Sequence, residues 1–166
     1  MPPLHPLARR IFRAFVMLTL AGAVIGLLHR QDLIVATLLA AITPFAYLRL
    51  VRHSRQRAQG ILILAGMLLS GLCGVQVELW GIQGGHWEYH DLADGRTFPY
   101  WLPFAWALAF AFLYRLEQDF IDLLGLSSLA QKFALAALLS AIFPSWGEVI
   151  TINLGVWSYS WGYQIL

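Results

Sequence analysis

Glu78 and Glu148 each stand nine residues ahead of a tryptophan and eleven ahead of a tyrosine, as Glu78…Trp87-Glu-Tyr89 and Glu148…Trp157-Ser-Tyr159. The offset of 70 also pairs Ile82 with Ile152, Gly85 with Gly155 and, upstream, Leu68-Leu69-Ser70 with Leu138-Leu139-Ser140. Gln83 falls on Asn153, so the amide function is kept. The chemistry such a set could perform is proton transfer. A carboxyl buried among apolar and aromatic groups holds its proton more tightly and can then donate it. Two such carboxyls brought together couple and titrate apart. Trp87, Tyr89, Trp157 and Tyr159 could line an apolar pocket and turn their π faces to a developing cation. The bland readings are that each glutamate marks the water boundary or caps a loop, and that the rings form an interfacial belt.

The elements that must position these residues are apolar helices. The chain of 166 residues is 59% hydrophobic and only 12% charged, with a mean hydropathy of +0.66. A soluble domain carries about 25% charged residues, so the composition indicates an integral membrane protein. The fold class expected is all-α, a polytopic bundle of five spanning helices. The spans read as 11–28, 33–50, 60–80, 99–114 and from Phe133 to Glu148, and their uncharged runs of 15 to 18 residues fall short of the roughly 20 a spanning helix needs. Flanking arginines supply the difference by snorkelling. Ala21-Gly-Ala23 resembles a signal cleavage site, but the apolar run continues past it. Gly66, Ser70, Gly71 and Gly74 give the third span a small-residue face. Segment 115–132 reads as a short amphipathic helix and loop on the membrane surface.

Charge orients the spans. Nine of the eleven Lys and Arg residues fall in the N-terminus, the 49–57 loop or segment 115–132, leaving Arg30 and Arg96 opposite. The positive-inside rule then places the N-terminus in the cytoplasm of a multi-pass inner (plasma) membrane protein, with both glutamates toward the outer side. The repeat divides the chain into a two-span segment, 1–58, a first unit, 59–116, and an incomplete second unit, 117–166. A sixth span should begin at Trp161-Gly-Tyr-Gln-Ile-Leu166; either the sequence is truncated there or a homo- or hetero-oligomeric partner supplies the matching helix.

His86 and His90, with Glu88, Asp91 and Asp94, have metal-ligand side chains, but the i, i+4 spacing serves a metal only on a helix. The second unit has Val156 and Ser160 in place of the histidines, so a solvated polar loop is preferred and no metal is expected. The single cysteine, Cys73, sits in an apolar run and forms no intramolecular disulfide. No basic patch interleaved with aromatics suggests nucleic acid.

The duplicated helix–acid–G-x-W-x-Y unit resembles the membrane-embedded carotenoid cyclases of the lycopene cyclase domain type and the related integral-membrane terpene cyclases. It lacks the proline followed by paired acids of the former; Pro99 is followed by Tyr-Trp-Leu-Pro. The resemblance implies acid-initiated cyclisation or isomerisation of an isoprenoid or lipid substrate without a cofactor. Glu78 and Glu148 would be the catalytic acids, with Trp80, Gln83, Trp87, Tyr89, Asn153, Trp157 and Tyr159 contacting substrate. The reading from another class is a non-catalytic membrane protein whose repeats serve packing.

Overall fold

Long uninterrupted apolar stretches become helices here because nothing in them offers the backbone another partner. The structure, a computed structural model, describes residues 5–52, 57–92 and 95–160. The expected start of a sixth span at 161–166 lies outside them, as does Asp94 of the polar loop. Five helices follow one another: α1 (Pro6–Leu28), α2 (Asp32–Arg52), α3 (Arg57–Gln83), α4 (Leu102–Leu124) and α5 (Leu129–Asn153). A 3-10 turn, His29–Gln31, joins α1 to α2, and two short strands, β1 (Trp87–Tyr89) and β2 (Trp157–Tyr159), follow α3 and α5.

Contacts fix the directions. Phe15 meets Phe143 at 5.0 Å and Trp146 Nε1 donates to Thr19 at 3.1 Å, so α1 and α5 run side by side and parallel. Ser70 donates to the Trp106 carbonyl at 2.9 Å and Gly66 lies under Phe110, so α3 and α4 are antiparallel. α2 runs with α4, from Asp32 beside Tyr100 to Leu50 beside Ala111. Helices α1, α3 and α5 therefore run toward the strands, and α2 and α4 run away from them.

Helix α4 is the centre of the bundle. It contributes Leu116 and Phe120 to the cluster with Ala14, Leu135, Leu139 and Phe143, Leu102 to the cluster with Val35, Ala36 and Val156, and Ala107 and Ala111 to the cluster with Leu50, Ile63 and Met67. The helices around it turn large apolar side chains outward, among them Leu27, Phe45, Leu62 and Phe133, each at least 70% exposed. Monomers in water rarely expose such continuous apolar surface. Among the described residues, three stretches are long and apolar enough to cross a membrane: Pro6–Arg52, which holds both α1 and α2, Ala58–Gln83 and Leu129–Asn153.

Two sequence expectations are corrected. Segment 115–132 is not a separate surface element: α4 runs unbroken through 115–124, because Leu116 and Phe120 continue its buried stripe at i, i+4 spacing and no breaker intervenes before Gly125 at φ 64°. The glutamates also do not end their helices. Helix α3 continues five residues past Glu78 to Gln83, and α5 five past Glu148 to Asn153, until the glycines of the following turns.

Candidate functional site

The same helix exit is built twice. After α3, Gly85 takes φ 66°, its N–H bonds the Ile82 carbonyl at 3.0 Å, and the His86 N–H bonds the Gly81 carbonyl at 2.8 Å. After α5, Gly155 takes φ 71°, its N–H bonds the Ile152 carbonyl at 2.9 Å, and the Val156 N–H bonds the Thr151 carbonyl at 3.0 Å. This is the paired-bond helix stop that a left-handed residue permits, and glycine takes that conformation without a Cβ penalty.

Both exits lead into one antiparallel ribbon, with Trp87 opposite Tyr159, Glu88 opposite Ser158 and Tyr89 opposite Trp157. Since side chains alternate along a strand, Trp87, Tyr89, Trp157 and Tyr159 share one face. Glu88 and Ser158 share the other, where Ser158 meets His90 at 2.9 Å. Trp157 meets Tyr159 edge-on at 4.9 Å, Trp87 meets Tyr159 edge-on at 6.5 Å, and Tyr89 tilts against Trp157 at 6.4 Å.

The aromatic face closes over the two carboxyls. Glu78 is buried and accepts three bonds: from Trp87 Nε1 at 3.0 Å, from the Tyr89 hydroxyl at 2.9 Å and from Trp106 Nε1 at 3.3 Å. Glu148 accepts from the Tyr159 hydroxyl, lies within electrostatic reach of Glu78, and is exposed. The two units part at one position. Gly81 leaves room for the Trp87 ring, whose Cζ2 would lie 2.0 Å from a Cβ there. Its counterpart is Thr151, whose hydroxyl takes the Trp157 N–H at 3.0 Å. The second tryptophan therefore bonds its own helix, and among the described residues Glu148 keeps a single side-chain donor, Tyr159.

Of the residues the sequence nominated, the structure gathers Glu78, Glu148, Trp87, Tyr89, Trp157 and Tyr159. It leaves Trp80, Gln83 and Asn153 outside. Trp80 is 63% exposed and packs on the His86 ring at 4.9 Å. Gln83 is exposed at the end of α3, and the exposed Asn153 spends its amide on the Val149 carbonyl at 2.7 Å. Trp106 was missed. Its signal was the glycine-rich face of α3, which requires bulky rings on the next helix. His86 and His90 flank a strand rather than sharing a helical turn, which spaces them by about 13 Å at ~3.3 Å per residue, and among the described residues no three His, Cys, Asp or Glu side chains are grouped to hold a metal.

Beside the ribbon, a cavity of about 310 Å³ opens between Trp87, Tyr89 and the Arg96–Thr97 segment. Away from the carboxyls, an almost wholly apolar groove of about 380 Å³ runs between α2, α3 and α4 past Tyr47, Met67, Gly71 and Pro103.

Burial pushes the Tyr89 phenol well above the usual tyrosine range, aided by the charge and hydrogen bond of Glu78 and by the charge of Glu148. Burial and Glu148 shift Tyr159 the same way. A phenol raised in the folded state contributes stability below its unfolded value of about 10, and that contribution is lost as pH rises past it. Tyr89 should therefore stay protonated throughout the alkaline titration of the folded protein, so Tyr89→Phe should leave the folded-state phenolate absorbance unchanged and remove one phenolate only after denaturation. A folded-state phenolate step that disappears in Tyr89→Phe would show that Tyr89 is not held by Glu78.

No family model, curated protein or solved structure matches the chain. The fold is all-helical apart from the short ribbon, and its apolar helices are consistent with a membrane protein; the site is a pair of carboxyls beside that aromatic ribbon.

Proposed function

We propose that the protein crosses the plasma (inner) membrane five times, with its N-terminus cytoplasmic, and transfers protons on an apolar isoprenoid or lipid substrate. The alternating directions of α1 to α5 and the basic excess at the ends remote from the ribbon support the topology. Reporter fusions after Arg52 and after Leu92 should report opposite sides of the membrane. The same side for both would sink the five-span arrangement.

One observation carries the chemistry: two carboxyls lie beneath four aromatic rings on a single ribbon face. The carboxyls divide the work. Glu148, exposed and singly bonded, is the acid: its proton adds to one carbon of a substrate double bond and leaves a cation. The aromatic faces stabilise that cation. Loss of a proton from a neighbouring carbon to the Glu148 carboxylate restores both acid and alkene, giving a cyclised or isomerised product of unchanged mass. Glu78, held by three donors, fixes the aromatic rings in place beside the reacting carbons. No cofactor enters this scheme.

The test is the apolar lipid extract of cells expressing the protein, compared with Glu148→Gln and with the empty host. The expected result is an isomer of unchanged mass but altered chromatographic retention that only the unsubstituted protein produces. Identical extracts from all three would reject the acid mechanism. The three bonds to Glu78 favour a second reading, in which the glutamates only fasten the ribbon and the protein is a non-catalytic assembly or binding partner.

A further inference from the structure

The two units bury opposite faces of their matching helices. On α3 the buried face is Gly60, Ile63, Met67, Gly71, Gly74 and Glu78, covered by α4 and α2. The matching residues of α5 are Ala130, Phe133, Ala137, Ala141, Pro144 and Glu148; all are exposed except the half-buried Pro144. Helix α5 instead buries Leu135, Leu139 and Phe143, whose counterparts include the exposed Leu69 and Cys73. In a bilayer this leaves Glu148, bonded to Tyr159 of its own chain, exposed on a helix face that no other described helix covers. Ionisable residues within membrane helices almost always face a partner or a water-filled cavity.

A helix seated as α4 is seated on α3 does not fit there. A Cβ at Gly71 would lie 2.9 Å from the Pro103 carbonyl oxygen, and one at Gly74 would lie 2.2 Å from the Trp106 ring. Helix α5 carries Ala141 and Pro144 at those positions. The occupant must present small side chains and must match the polar groups of this face. A second copy does both. Two copies share one orientation in the membrane, so their α5 helices meet in parallel about a two-fold axis along the membrane normal. Ala134, Ala137 and Ala141, spaced three and four apart, let the two backbones approach closely.

Across a two-fold axis each group meets its own copy, so it must serve as both donor and acceptor. A protonated carboxyl is both. Ser140 on the rim is both as well: it offers a hydroxyl donor, and its carbonyl lacks the helical donor that Pro144 cannot supply.

We propose that this face of α5 is a homodimer interface in the membrane that brings Glu148 of each copy against the other, so that the second copy completes the site. The proposal rests on the membrane-crossing part of the functional reading and not on the proton chemistry.

The test is oxidative cross-linking of the purified protein in liposomes, in a Cys73→Ser background. Ala141→Cys should form a disulfide-linked dimer, whereas Leu72→Cys, on the exposed side of α3, should not. Adding Ala137→Trp should lower the Ala141→Cys cross-link about tenfold, with helical content unchanged by circular dichroism. Retention in the membrane through a carbonate wash with no Ala141→Cys dimer would overturn the dimer alone, as would equal cross-linking at Leu72→Cys. Release into the wash would overturn the membrane reading and the dimer together.

Discussion

Asp32→Ala should destabilise the protein by about 3–5 kcal/mol, the range for stranding one partner of a buried ion pair. Asp32 opens α2 with its side chain only 2% exposed. One carboxylate oxygen accepts from the Tyr100 backbone N–H at 3.0 Å, and the other pairs with the Arg96 guanidinium, which itself lies 3.9 Å over the Tyr100 ring. The pair fastens the α1–α2 corner to the segment that leads from the ribbon into α4. Truncation takes the carboxylate away from Arg96 in a site only 19% exposed and removes the acceptor that holds the approach to α4. Denaturant unfolding in detergent, followed by tryptophan fluorescence, would measure the loss. The double variant Asp32→Leu/Arg96→Met should recover most of it, because an apolar pair carries no stranded charge. A cost below about 1 kcal/mol for Asp32→Ala would mean that the pair behaves as a solvated surface bridge.

That pair also shows where the sequence was readable. Arg30 and Arg96 were the two basic residues on the wrong side by charge counting, and each has an aspartate partner: Arg30 with Asp91 at 3.0 Å, Arg96 with Asp32. The two G-x-W-x-Y segments were legible because glycine, tryptophan and tyrosine at fixed spacing encode a local event, a helix stop followed by a strand, and both segments take it. Helical phase, had it been applied to the nominated residues, would have set Trp80 and Gln83 aside: at 3.6 residues per turn both point well away from Glu78. Trp106 and Thr151 were not legible from the motif alone. Their roles depend on which helix lies beside which, and on one unit having Gly81 where the other has Thr151. The length of α4 was missed for a similar reason. Its charged second half reads as a surface segment until Leu116 and Phe120 are seen to pack against α1 and α5.

The two glutamates should respond oppositely to the same substitutions. Glu78→Leu removes the common acceptor of Trp87, Tyr89 and Trp106, leaving three largely buried donors, each costing about 1–3 kcal/mol when unpaired. Its expected effect is on stability, about 3 kcal/mol or more, with loosening of the ribbon visible in the fluorescence of Trp87 and Trp106. Glu78→Gln keeps one carbonyl oxygen as acceptor and should fall between Glu78→Leu and the unsubstituted protein. Glu148 has one donor and an exposed side chain, so Glu148→Gln should change stability by about 0.5 kcal/mol or less. Its effect should instead be loss of product, because an amide preserves shape and hydrogen bonding but has no proton to transfer to an alkene. Paired measurements of unfolding and of lipid product on Glu78→Gln, Glu78→Leu and Glu148→Gln separate the cases. If the repeat were only a packing device, Glu148→Gln would be silent in both assays while Glu78→Leu remained costly. If the acids were interchangeable, the two Gln variants would lose product equally with no difference in stability. The asymmetry at Gly81 and Thr151 argues for neither. Under the proposed chemistry it leaves one carboxyl available for proton transfer by fastening the second tryptophan to its own helix, and it commits the other carboxyl to holding the aromatic roof in place.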